Sequence, residues 1–170
     1  MIQSTLVVYG FFQLCNGVRV HSPWRNDASA LTWHCEYDTS LQCADESGMP
    51  VKFRIFSPPG DGAFANCTVS FVQAKAYFPS NGGPVLFEGI RQAMLPGDPE
   101  DENYQAHAPN LIYSMIHGVG VVKSSTPDGE HGDDREFQVE VRPWVRDDNR
   151  ACTITYVAIA SITLFCSRYL

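Results

Sequence analysis

Positive charge is scarce in this sequence. Its 12 Lys and Arg are outnumbered by 19 Asp and Glu, and the net charge is −7. That is the wrong sign for a protein that coats nucleic acid non-specifically, because neutralising phosphates needs a surplus of cations. Charge of either sign is sparse, at 18% of residues, so few long polar helices are expected. Long apolar runs are missing as well. The nearest, 151–166, is uncharged but carries Thr153, Thr155, Ser161 and Thr163. It falls short of the ~20 strongly apolar residues of a spanning helix. Its β-branched residues predict a strand followed by an irregular end, and no membrane partner is expected. The six cysteines, at 15, 35, 43, 67, 152 and 166, are too few and too unevenly spaced for a disulfide scaffold. Cys67 and Cys152 lie in apolar runs, where a free thiol acts as a small hydrophobe. Mostly reduced thiols and an intracellular protein are expected, with a secreted β-sandwich as the alternative that a thiol count would separate.

Catalytic and metal signatures are equally thin. No nucleophile sits in a recognisable turn such as G-x-S-x-G, and no enzyme activity is expected. His34, Cys35 and Cys43 offer three soft ligands without a fourth at zinc-like spacing. Asp98, Glu100, Asp101 and Glu102 form one acidic cluster, and Asp128, Glu130, Asp133 and Asp134 another. Neither has the ligand and glycine spacing of a calcium loop, so both read as solvated loops and no cofactor is expected. The apolar stretch 5–14 lacks a Lys or Arg ahead of it, and Gln13 and Asn16 interrupt its exit. It reads as a buried strand rather than a signal peptide. Asn66-Cys67-Thr68 is a formal glycosylation acceptor.

What remains is a chain of 170 residues, 44% hydrophobic, long enough to bury one domain's core. With 13 Gly and 11 Pro it is rich in turns, and its runs are strand-sized. The first is 5–14, followed by a polar, turn-rich segment over 16–45 that carries Trp24, Trp33, His34 and Cys35. Residues 51–56 alternate apolar and basic, the period of a half-buried strand, and the Pro- and Gly-rich 57–62 stops them. In 64–78 the apolar parity changes between Phe71 and Val72, which predicts a β-bulge or a crossing between faces. Turn residues over 79–84 precede another run at 85–94, closed by 95–102. Then come the apolar 111–122, a loop over 124–134, the strictly alternating 136–142 and the strand-like 152–157, three strands in a meander. About seven short strands with frequent turns predict an all-β sandwich or barrel. The sequence holds no internal repeat and no helix longer than about two turns.

One cluster of cations stands out. Arg142, Arg146 and Arg150 flank Trp144 at the end of the alternating strand. Arginines beside an aromatic can hold phosphates while a base stacks, at about 1–3 kcal/mol per stacked base. In the plainer alternative, Trp144 packs under the meander and the arginines pair with Asp147, Asp148 and Glu140.

From 65 to 156 the order of segments resembles a group of uncharacterised proteins of mushroom-forming fungi whose chains look like OB-fold domains. The residues that carry the likeness are Thr68-Val-Ser-Phe-Val-Gln-Ala-Lys-Ala-Tyr-Phe-Pro79, Gly83-Pro-Val-Leu86, Pro96-Gly-Asp-Pro99, Gly118-Val-Gly-Val-Val122, Phe137-Gln-Val-Glu-Val141 and Trp144-Val-Arg-Asp147. The order Gly-Val-Gly-Val-Val, Phe-Gln-Val-Glu-Val, Cys-Thr-Ile-Thr is also similar to the first three strands of OB domains in single-stranded-DNA-binding replication proteins. The resemblance implies an OB-like, partly open Greek-key barrel over 51–157, an N-terminal strand and irregular extension over 1–50, and an apolar segment over 158–170. Its ligand face would include Gln138, Glu140 and Arg142, with Trp144 at the edge. Such a barrel needs about two more strands after Tyr156, so it either recruits strands from the first half or lacks them in this chain.

The expected function is therefore a non-catalytic module binding single-stranded nucleic acid through Arg142, Trp144, Arg146 and Arg150, which would place it in the nucleus. A protein-interaction module is the second expectation. Unpaired strand edges would make self-association a third property.

Overall fold

A computed structural model describes residues 4–24, 27–43, 47–109, 114–125 and 135–158. The chain is all-β: among the described residues the one helical element is a 3₁₀ turn at Tyr104–His107. Five strands carry the core: β1 (Thr5–Trp24), β2 (Asp27–Gln42), β3 (Gly48–Phe56), β4 (Thr68–Tyr77) and β5 (Val85–Met94). They form a ring in the order β1, β2, β3, β5, β4 and back to β1. Every pairing in the ring is antiparallel except β3 with β5, which run parallel from Val51↔Val85 to Arg54↔Glu88.

The ring thus lies within residues 5–94, and its first four strands come from the first half of the chain. Within the segment 16–45, read as turns, lie the second half of β1 and the whole of β2. The apolar alternation disappears there for a structural reason. Beyond the bulge at Cys15/Val18 the two strands pair as a ribbon that extends past the barrel mouth, with Val18, Arg19, His21 and Leu31 exposed. A strand with water near both faces has no buried side to mark in the sequence.

Inside the ring, alternate residues converge. Leu6, Val8, Phe12 and Leu14 from β1 meet Tyr37, Val51, Phe53, Val72, Ala74, Ala76, Val85 and Phe87, each at most 3% exposed. Small residues on β4 make room for the aromatic rings opposite, where Phe12 and Phe87 stack edge to face at 5.5 Å. The expected switch of faces between Phe71 and Val72 does not occur. Ser70, Val72, Ala74 and Ala76 all point inward along one regular strand. Phe71 points outward and packs on Phe11 at 5.4 Å, which is why its parity looked reversed. Val69 is covered from outside by the 3₁₀ turn: the Tyr104 hydroxyl donates to Leu95 O at 3.0 Å and accepts from Val69 N at 3.3 Å. The bulge sits instead on β5, where Ile90 is the extra residue opposite Gln73 and Ala74.

Strand β6 (Met115–Val119) adds to the first half of β1. At Gly120 the chain passes into a second sheet of β7 (Val121–Ser125) and β8 (Arg135–Val141). After a hairpin of β9 (Trp144–Val145) and β10 (Asp148–Asn149), β11 (Cys152–Ala158) completes it, in the order β11-β8-β7. The expected meander is met in part: 136–142 and 152–157 fall on β8 and β11, but 111–122 is split at Gly120. Residues 115–119 pair with β1 in the main sheet, and the third strand, 121–125, reaches into the segment read as a loop. Val141 and Cys152 of the second sheet join the barrel's apolar cluster. Residues 128–134 and 159–170 lie outside the described residues, so the second acidic cluster and the apolar end carry no structural account.

Candidate functional site

The cations singled out in the sequence do not share one surface. Arg142 directly follows β8 and is exposed, and its guanidinium pairs with Glu140 at 2.9 Å. Lys123 pairs with the same carboxylate at 3.1 Å, and the two cations hold the Glu140 carboxyl below the usual range, Lys123 foremost. Trp144, Arg146 and Arg150 belong to the β9–β10 hairpin, which folds back over the outside of the ring. Arg150 lies 5.6 Å over the Tyr77 ring, donates to Val145 O at 3.3 Å and reaches Asp148 at 4.0 Å. Trp144 is 37% exposed at the hairpin's base. Each of the three arginines therefore meets a carboxylate.

Arg146 turns inward, and its destination is the chemical centre of the outer wall. The register sets Glu36 of β2 opposite Arg54 of β3, and Arg54 opposite Glu88 of β5. This Glu-Arg-Glu row crosses three strands on the face outside the core. Arg54 is 7% exposed, and its Nε donates to both Glu88 carboxylate oxygens at 3.0 and 3.1 Å. Its Nη2 donates to Asp147 Oδ2 at 3.0 Å. Arg146 donates through its side chain to Glu36 and through its backbone N–H to Glu88 Oε2 at 3.2 Å. Two residues at the hairpin tip thus complete a five-group ionic cluster. Burial by itself would lower the Arg54 pKa, but Glu88 and Asp147 outweigh it and the guanidinium is held above its ordinary value. Arg146 is lowered, by burial first, with Glu36 opposing.

The hairpin adopts an unusual backbone to do this. Arg146 and Asp147 have φ of 55° and 62°. Positive φ at both central residues is a type I′ turn, which normally selects Asn and Gly. Left-handed conformation costs about 1–2 kcal/mol for an ordinary residue and persists where the surroundings over-determine it. Here the ionic cluster supplies that determination.

A second constellation, which the sequence did not advertise, lies at the ribbon end of the barrel. The Arg19 guanidinium sits 4.6 Å over the Trp33 ring, and the His21 ring is 5.0 Å from the same indole. Arg19 also donates to Pro58 O at 3.1 Å, and Ser57 N–H to Trp33 O at 2.9 Å, so the 57–62 loop is tied to the ribbon. Under that loop is a cavity of about 430 Å³ lined in part by Cys35, Ile55, Phe56, Phe64 and Gln92. Phe56 is 57% exposed at its edge. Gln92 Oε1 is buried without a protein partner, a group that a ligand or water in the cavity would satisfy. Only the register that pairs Arg19 with Cys35 and His21 with Trp33 creates this cluster. The sequence signal was Trp33, one of two tryptophans in a largely polar segment.

The remaining sequence candidates resolve as follows. His34 and Cys35 are successive strand residues and point to opposite faces, so they cannot share a metal. Among the described residues no three His, Cys, Asp or Glu side chains converge as a metal site. Asp98 and Asp101 accept from the Glu100 and Asn103 N–H groups at 3.0 and 2.8 Å, capping the loop that leads into the 3₁₀ turn. Gln138 and Glu140 sit on β8, in the second sheet, and Arg142 follows it directly, rather than lying on the ring's β2–β3 side. No helix among the described residues is long and apolar enough to cross a membrane. Compared with known proteins, the chain matches no family model and no curated protein.

Proposed function

We propose that this chain is an OB-type barrel acting as a non-catalytic binding module, and that it takes a single-stranded nucleic acid at the barrel mouth beside the β1–β2 ribbon. Support for the barrel type is the five-stranded ring closed through one parallel pair. Barrels of that class bind oligonucleotides on the strand 2–3 side and its flanking loops. The observation that carries the ligand reading is the Arg19–Trp33–His21 stack next to exposed Phe56. Aromatic faces with a neighbouring guanidinium are what successive bases stack on, whatever their sequence. With a net charge of −7, few phosphates are engaged, and affinity is modest with a shallow salt dependence. Arg142 and Trp144 would add contacts from the hairpin side, whereas Arg146 serves the ionic cluster.

Fluorescence anisotropy against a labelled single strand of about 16 nucleotides tests this. Removing one stacking ring is worth about 1–3 kcal/mol, so Trp33→Ala should weaken binding by roughly 5- to 150-fold. Arg19→Glu should weaken it further at low salt than at moderate salt. No binding of the parent protein at low salt, or unchanged binding in Trp33→Ala, rejects the reading.

An interaction with another protein is the second reading, favoured by the exposed apolar side chains Met115 and Val119 on β6 and Val121 and Val122 on β7, each 49–65% exposed. Its signature would be capture of a partner that is insensitive to salt and lost on Val121→Lys, Val122→Glu double substitution.

A further inference from the structure

The pairing of β1 with β4 runs without a break from Val7↔Lys75 to Leu14↔Thr68. The pairing ends there, and the next residue on each side is Cys15, still in β1, and Cys67, which precedes β4 in a turn with φ of 65°. One step further, the Asn16 N–H donates to Asn66 Oδ1 at 2.9 Å. The two cysteines are therefore bracketed by a strand pair on one side and a hydrogen bond on the other. Leu14 and Thr68, the neighbouring pair, are opposed residues of an antiparallel ladder with Cα atoms about 4.5–5.5 Å apart, so the two cysteines next to them begin close to the range that a disulfide spans. Both thiols are partly exposed, so a small oxidant can reach them. By contrast Cys35 and Cys152 are buried, and Cys43 sits at the far end of β2 with its thiol on Leu41 O. Burial first, and then the nearby Cys67, push the Cys15 thiol up from its ordinary value, consistent with two sulfurs in mutual contact range.

We infer that Cys15 and Cys67 are a redox modification site, a thiol pair that closes reversibly into a disulfide by exchange with a small disulfide of the oxidised-glutathione type. One thiol loses its proton and attacks the reagent, forming a mixed disulfide and releasing a first glutathione thiolate, which takes up a proton. The second cysteine then attacks the protein sulfur of the mixed disulfide and releases the second glutathione. Two protein thiols and one external disulfide become one protein disulfide and two external thiols. In a reducing compartment the pair stays as thiols. Its position gives the bond a consequence. Up to Leu14 β1 is held by β4, and from Cys15 onward it pairs with β2 and leaves as the ribbon. A bond there fastens the root of the ribbon that carries Arg19, His21 and Trp33.

The test uses the full chain, oxidised under native conditions with oxidised glutathione, then denatured, alkylated and digested. A linked peptide pair carrying Cys15 and Cys67 is expected, with a matching loss of two free thiols that dithiothreitol restores. Oxidation should raise the melting temperature of the parent and of Cys43→Ser, and leave Cys15→Ser and Cys67→Ser unchanged. Amides of 18–24 and 31–35 should exchange more slowly in the oxidised parent. Two results would overturn the inference: both cysteines alkylated or singly glutathionylated after oxidation, or Cys15 linked to a different cysteine.

Discussion

Arg54 and Glu88 face each other across the parallel β3–β5 pair in a bidentate contact, with the Arg54 Nε 3.0 and 3.1 Å from the two carboxylate oxygens. The parallel pair is the join that closes the ring, so this contact lies on the seam of the barrel. The arginine side chain is 9% exposed and the glutamate 21%. Removing one partner leaves a nearly buried charge, which costs about 3–5 kcal/mol, whereas replacing both by apolar residues of similar volume is often neutral. Glu88→Ala should destabilise the protein by roughly 3 kcal/mol in urea unfolding, and the Arg54→Met, Glu88→Leu double substitution should recover most of that. A single substitution costing under about 1 kcal/mol, the size of an exposed pair, would show the seam is held elsewhere.

The hairpin tip supplies the opposite kind of test. Arg146→Asn with Asp147→Gly improves the type I′ turn by about 1 kcal/mol or more. It also removes the Arg146 contact to Glu36 and the Asp147 contact to Arg54. Because Arg54 keeps only Glu88, the net change should be a loss of about 1–3 kcal/mol despite the better turn. A more stable variant would mean that the ionic cluster contributes less than the backbone conformation costs.

His34 predicts a pH dependence. It is 8% exposed on the outer face of β2. Burial, and after it the Arg54 charge, hold its pKa below the ordinary histidine value; Arg146 acts the same way, while Glu88 and Asp147 oppose. The folded state thus keeps the imidazole neutral, and the unfolded chain binds a proton at about 6.5. Stability from this group is present above about pH 6.5 and is lost as the pH falls through the lower, folded value. Melting curves of His34→Gln should show a flatter profile below that pH than the parent. The carboxylates of Asp38, lowered by Lys52 and Asn16, and of Glu140 begin to lose their contribution only below about pH 5 and should be the same in parent and variant. Parallel profiles for parent and variant would exclude His34 as the titrating group.

Gly120 governs the passage between the two sheets. A Cβ there would lie 2.3 Å from the Glu140 carbonyl oxygen and 2.7 Å from a Val141 methyl. Backbone cannot move aside as a side chain can, so Gly120→Ala should cost about 1–3 kcal/mol or more. Gly62→Ala, with nothing within 4 Å, should be neutral or slightly stabilising. Thermal melts of the two variants side by side make the comparison, and equal effects would reject the tight crossing.

What is periodic and local could be read along the chain. The alternation in 51–56 and 136–142 marks real strands, and the Pro and Gly clusters at 57–62, 79–84 and 95–99 mark real breaks. A resemblance carried by residues 65–156 pointed to a barrel, while the ring itself closes over 5–94. The tertiary structure decided which strands make that ring, because the ribbon half of β1 and β2 has no single buried face and so no alternation to read. It also decided the sites. Arg146 reads as a surface cation in the sequence, yet Glu36 lies 110 positions away and becomes its partner only when the hairpin folds back. Cys15 and Cys67, like Arg19 and Trp33, meet through strand register, a long-range property that neither spacing nor composition encodes. Pattern along a chain reports whether one face of a segment is dry; which segment covers that face is settled only by closure of the ring.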